Sequence, residues 1–251
     1  MTHNLDPLFD IARRAIKTYY PALFEAARSQ DKAPIILLSG SFVRGGATKK
    51  SDLDIVIIQE EEIVSPKRHS VVFENYPIEL FIKTRKAVDD FIQICIERGH
   101  ATTMDIILNG VPIFPISNQS FYDKIKAKAL NTLNQGPPSL SQAEIDSRRY
   151  VITDLLDDLD DNRDTLEQFA IIASLYDRVG DFYLRINNQW SGHSKALARL
   201  LKVYDAEFSI EFHKRLIKAQ NQQSLPLFKF IEKVLEPYGG RFFEGYKKEA
   251  N

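Results

Sequence analysis

Two aspartates one residue apart, Asp52 and Asp54, follow a stretch punctuated by Gly40, Gly45 and Gly46. The pattern of apolar residues at 35–38 and the β-branched run at 53–58 reads as strand, turn, strand. The acids therefore stand at the start of a strand. Side chains alternate faces along a strand, so Asp52 and Asp54 share one face while Leu53 and Ile55 turn to the other. Two carboxylates on one face repel unless a cation lies between them. Hard oxygen donors at that spacing suit Mg²⁺, which completes its shell with water and phosphate oxygens.

A third acid is available downstream. Residues 71–73, Asn75-Tyr76-Pro77 and 78–82 read as a hairpin whose second strand is apolar except for Glu79. Burying an unpaired carboxylate is costly, so Glu79 is expected to face a metal, a cation or a cleft. An exposed place on a half-solvated strand is the ordinary alternative for a single Glu. Its position after the Asp-x-Asp strand favours the metal cleft.

The turn between the strands has the makings of a phosphate cradle. Its glycines allow close approach of backbone to ligand, consecutive amides can form an anion nest, and Ser41 can add a hydroxyl donor. Arg44 suits either a phosphate or an acid that braces the turn. Ser51 is expected to cap the turn and position Asp52. Lys49 and Lys50 read as solvated loop charges.

Gly40-Ser41, Arg44-Gly45, Ser51-Asp52-Leu53-Asp54 and the later Glu79 together resemble the nucleotidyltransferase domain of the DNA polymerase β superfamily. The resemblance spans residues 35–82, and several residue types must fall at particular spacings for it to hold. Size and a helical second half are similar to the small antibiotic nucleotidyltransferases of the kanamycin type. The resemblance implies transfer of a nucleoside monophosphate from a nucleoside triphosphate, ATP foremost, to an acceptor hydroxyl, with release of pyrophosphate. It implies two Mg²⁺ ions, with Asp52, Asp54 and Glu79 as metal ligands and catalytic residues. Glu79 is the acid on the acceptor side and a candidate general base. Gly40, Ser41, Arg44, Ser51 and Lys195 are the expected nucleotide contacts.

Other motifs fail on spacing. A P-loop starting at Gly40 would need Lys where Gly46 stands. The stretch from Asp158 to Asn162 imitates a calcium loop, but Arg163 replaces the glycine and Phe169 the bidentate acid. The five histidines are scattered without the spacing of a helical zinc site. Thirty-three basic and 34 acidic side chains give a net charge of −1, which disfavours a nucleic-acid substrate. One cysteine, Cys95, falls on an apolar helical face and excludes an internal disulfide. With no signal-peptide pattern and no apolar run of membrane length, a cytoplasmic protein is expected.

The 251 residues suffice for two cores. The expected fold class is α/β (α+β): a nucleotidyltransferase domain at 1–134 with a mixed sheet flanked by helices, then an all-α bundle at 139–251. Gly-Pro-Pro at 136–138 marks the linker. A helical pattern covers 7–29, with Pro21 as a possible break. Further helices are read at 85–97, 101–108 and 119–133, with an edge strand at 111–114. Ser141 and Glu144 make a capping box for a helix to about 161. Helical patterns follow at 164–187, 194–203, 205–220 and 224–236.

The helical half is expected to choose the acceptor. Asp157 and Asp158 belong to an acidic helix face that would suit a cationic small molecule such as an aminoglycoside, although such faces are commonly just solvated. Trp190, His193 and Lys195 lie after a helix end, where domain packing is the leading reading and nucleotide contact the other. Phe242, Phe243 and Tyr246 are expected to dock on the body. Two alternatives stay open: nucleotidylylation of a protein, as by an antitoxin, and a noncatalytic nucleotide-binding module. Oligomeric state, monomer or homodimer, is not legible.

Overall fold

The computed structural model describes residues 5–29, 33–160 and 164–247. They cluster into two compact units. One comprises Met1–Cys95 and Ala101–Gln135, the other Ile96–His100 and Gly136–Asn251.

The first unit is built on a five-stranded mixed sheet of order β3-β4-β2-β1-β5. The strands are β1 (Ile35–Ser39), β2 (Leu53–Gln59), β3 (Lys67–Phe73), β4 (Tyr76–Thr84) and the two-residue β5 (Val111–Pro112). β2 and β4 run parallel, while β1–β2, β1–β5 and β3–β4 are antiparallel. β1 is buried along its whole length because it lies between β2 and β5, which explains its unbroken apolar sequence. The β3–β4 turn places Glu74 and Asn75 at positive φ, which suits the twist of a two-residue hairpin.

Strict alternation sorts the two sheet faces. Ile36, Leu38, Leu53, Ile55, Ile57, Ile78, Leu80 and Ile82 pack in one core with Ile11, Ala12, Ala15 and Ile16 of α1 (Asp6–Tyr19) and Leu23 and Ala27 of α2 (Pro21–Arg28). Pro21 opens α2 at its first turn, where the missing N–H costs nothing, and so breaks the long helical pattern in two. Asp54 and Glu79 occupy the alternate positions on β2 and β4 and face away from this core. α4 (Arg85–Arg98), α5 (Thr102–Asn109) and α6 (Gln119–Gln135) follow the sheet strands, and Cys95 is buried on α4. The segment after β1, which reads as a turn in sequence, is instead a short helix, α3 (Gly40–Arg44), closed by Gly45 in the left-handed region. Gly45 supplies the positive φ that ends a helix without strain.

In the second unit, α7 (Gln142–Asp160), α8 (Thr165–Ile186), α9 (Ser194–Tyr204), α10 (Ala206–Gln220) and α11 (Leu225–Leu235) enclose a core that includes Leu156, Leu175, Phe182, Leu197, Phe212 and Ile231. The capping box forms as expected. The Glu144 N–H donates to Ser141 Oγ at 3.3 Å, and the Ser141 N–H donates to Glu144 Oε2 at 2.8 Å. The aromatic tail docks on α7, where Tyr246 stacks on Tyr150 at 4.0 Å and the buried Arg149 donates to the carbonyls of Gly239 and Gly240. The imitation calcium loop runs into residues 161–163, outside the described residues. No helix among the described residues is long and apolar enough to cross a membrane.

Candidate active site

Strand register brings the acids together. Asp54 on β2 lies beside Ser39 of β1 on one side and beside Glu79 of β4 on the other. Asp52 stands two residues before Asp54, just ahead of β2, so the same alternation carries it to the same face. Carboxylate oxygens of Asp52, Asp54 and Glu79 all lie within 4.8 Å of one another, and all three residues are half-buried. Three acids at that separation are incompatible with one another unless protons or cations intervene.

Asp54 records that conflict. Burial, with Asp52 and Glu79 beside it, pushes its carboxyl up from 3.8 to about 6, against the smaller opposing pull of Arg44 and Arg68. The carboxylate also reaches over the backbone of Gly40, where an added Cβ would overlap Asp54 Oδ2. Gly40 has φ +75, so a side chain there would be strained and would also displace the Asp54 carboxylate.

The loop ahead of Asp52 braces itself. Ser51 Oγ accepts from the Thr48 N–H at 2.8 Å, and the Ser51 N–H donates to the Thr48 carbonyl at 3.0 Å. Ser41 is half-buried in α3, close in sequence to Gly40. Arg44 pairs with Asp105 of α5 at 3.2 Å, the bracing member of its two expected partners.

Arg68 is a site neighbour that the sequence did not single out. Its Nη2 donates to both oxygens of Glu79, at 2.6 and 2.8 Å, and the Ser70 hydroxyl donates to Glu79 Oε1 at 3.3 Å. In sequence, Lys67-Arg68-His69 reads as an ordinary polar edge strand. Period-two alternation and hairpin register together put Arg68 on the Glu79 face, the signal that could have found it.

The other expected site residues belong to the second unit. Lys195 is exposed in the first turn of α9, directly after His193 and Ser194. Asp157 is engaged by the Arg241 guanidinium, and Asp158 also has an interaction partner.

The donor set fits a divalent cation. Three carboxylates supply hard oxygens only, the preference of Mg²⁺ rather than of softer metals. The three acids thus share one sheet face beside the start of α3, where Gly40 leaves room for the Asp54 carboxylate.

Residues 23–130 match the family model described as a nucleotidyltransferase domain, a family of the polymerase β-like superfamily. The match supports nucleotidyl transfer as the activity class of this part of the chain. Among solved structures, a nucleotidyltransferase-like protein from Exiguobacterium sibiricum is similar with a TM-score of 0.44 and 11% identity, covering 90% of this chain and 75% of that one. No curated protein sequence matches the chain.

Proposed function

We propose that the protein transfers a nucleoside monophosphate from a nucleoside triphosphate to the hydroxyl of a small acceptor, with Asp52, Asp54 and Glu79 as its catalytic residues. The observation that carries this reading is the convergence of the three carboxylates within 4.8 Å on one face of a nucleotidyltransferase domain. In the reaction the acceptor oxygen forms a bond to the α-phosphorus, the bond from that phosphorus to the bridging oxygen breaks, and pyrophosphate leaves with the electron pair.

Asp52 and Asp54 would hold one Mg²⁺ ion on the triphosphate side, and Glu79 would hold a second on the acceptor side. Bound there, the metal supplies charge stabilisation for the leaving group and lowers the acceptor's pKa. Asp54, with a carboxyl near 6, is ionised at neutral pH and ready to serve as a ligand. Glu79 would take the acceptor proton, as general base, or orient the group that takes it. Gly40 leaves the approach to Asp54 clear, Ser41 offers a hydroxyl to phosphate, and Ser51 fixes the loop that presents Asp52.

The test is pyrophosphate release from each common nucleoside triphosphate with Mg²⁺, in the presence of a pool of hydroxyl-bearing antibiotics and metabolites. Acceptor-dependent release that disappears in Asp52→Asn/Asp54→Asn supports the reading. Release that persists in the double variant refutes it.

A further inference from the structure

We propose that Arg68 is an exchangeable counter-ion of Glu79, which it neutralises in the metal-free protein and must release before a divalent cation can use that carboxylate. The inference rests on the reading of Glu79 as a metal ligand and adds to it a positioning residue from the neighbouring strand.

Arg68 and Glu79 lie on adjacent antiparallel strands, and a single guanidinium nitrogen, Nη2, spans both Glu79 oxygens. A cation bound to either oxygen would stand close to that nitrogen, where two positive charges repel strongly. One of the two must leave. Exposure decides which: the Arg68 side chain is 64% exposed and the Glu79 side chain 19%. Glu79 is further held by Ser70 and sits between the buried Ile78 and Leu80, so the long arm moves and the acid stays.

The exchange is inexpensive because the Arg68 end of the pair is largely exposed, so water takes over much of what the guanidinium gives up. The Phe81 ring, with its centroid 5.2 Å from the guanidinium carbon, keeps contact with the arm outside the carboxylate. Among the described residues Arg68 uses only Nη2 for hydrogen bonding, so Nε and Nη1 are available as donors before and after release. Arg68 also lowers the Asp54 carboxyl, which places its charge in the field of the whole triad.

Two roles for Arg68 predict opposite signs. A structural brace that holds Glu79 in place for the metal would make metal binding weaker on its removal. A competing counter-ion would make it tighter.

The experiment is a Mn²⁺ titration of the full chain by calorimetry, or by electron paramagnetic resonance of the free ion, in wild type, Arg68→Ala and Arg68→Lys. Circular dichroism checks that each variant folds. The expected result is about three- to tenfold tighter Mn²⁺ binding in Arg68→Ala, since removal of a charge-assisted competitor acts on this scale. Arg68→Lys should fall between the two, because a lysine arm is shorter and its ammonium more strongly hydrated, so it pairs less closely with Glu79. Unchanged or weaker binding in Arg68→Ala overturns the exchange while leaving the metal site intact. Absence of Mn²⁺ binding in all three proteins removes the metal reading itself, and the exchange with it.

Discussion

The Asp54 carboxylate lies across the backbone of Gly40 so closely that a side chain at that position would have to displace it. Chain direction reverses between β1 and β2, and Ser39 pairs with Asp54, so the first residue beyond β1 meets the central acid of the triad. The glycine at position 40 is thus a requirement of the acid opposite as much as of its own φ of +75.

Gly40→Ala is expected to act on the site before it acts on the fold. The methyl group meets a half-buried carboxylate rather than packed backbone, so Asp54 must turn away. Strain at positive φ adds about 1–3 kcal/mol of destabilisation. Denaturant unfolding together with Mn²⁺ titration should show both losses. Wild-type metal affinity in this variant would contradict the described packing.

Asp54 makes the stability of the metal-free protein depend on pH in a stated direction. Its carboxyl is near 6 in the fold and near 3.8 in an unfolded chain, so the folded form binds the proton more tightly. The resulting stabilisation is complete below about 3.8 and is lost as pH rises through about 6. Asp54→Asn should remove this dependence and raise the melting temperature of the metal-free protein at pH 8 by about 2–8 °C before solvent screening reduces it. A lower melting temperature for that variant at pH 8 would show that burial and the neighbouring acids do not disfavour the charged carboxylate. Metal binding should weaken as pH falls through the same range, because proton and metal compete for one carboxylate.

Arg44 offers a discriminating measurement. Its pairing with Asp105 at 3.2 Å is exposed on both sides, so Arg44→Ala should change stability by less than about 1 kcal/mol. If the guanidinium also meets the triphosphate, KM for the nucleotide rises severalfold while stability stays. An unchanged KM confines Arg44 to bracing.

The second unit depends on Arg149. This buried guanidinium joins Asp146 to the carbonyls of Gly239 and Gly240. Arg149→Ala leaves those carbonyls and an acid without their donor, and should cost about 2–4 kcal/mol. Chemical denaturation monitored by tyrosine fluorescence checks this, and a change under about 0.5 kcal/mol would show that water replaces the side chain.

Much of the fold was legible because its signals are local and periodic. The unbroken apolar run of β1, the lone acid in β4 and the capping box at Ser141 each follow from one segment's own pattern. Asp52, Asp54 and Glu79 could be named together because spacing gives their face and the family pattern gives their partner. What escaped was pairwise and long-range. The α3 helix depends on Gly45 closing it and on the room Gly40 leaves for Asp54, neither of which a turn-rich sequence discloses. Arg68 became visible only through the β3–β4 register, and the Arg44–Asp105 pair through the approach of α3 and α5. The partner of Asp157 lies in the tail, 84 residues away.

The most direct test of nucleotidyl transfer uses nucleoside triphosphates radiolabelled at either the α- or the γ-phosphate, with Mg²⁺ and the acceptor pool. Transfer of the α label to an acceptor, with the γ label released in pyrophosphate and both lost in Asp52→Asn/Asp54→Asn, is the result the site geometry predicts. Transfer of the γ label, or α transfer that survives the double substitution, would contradict it.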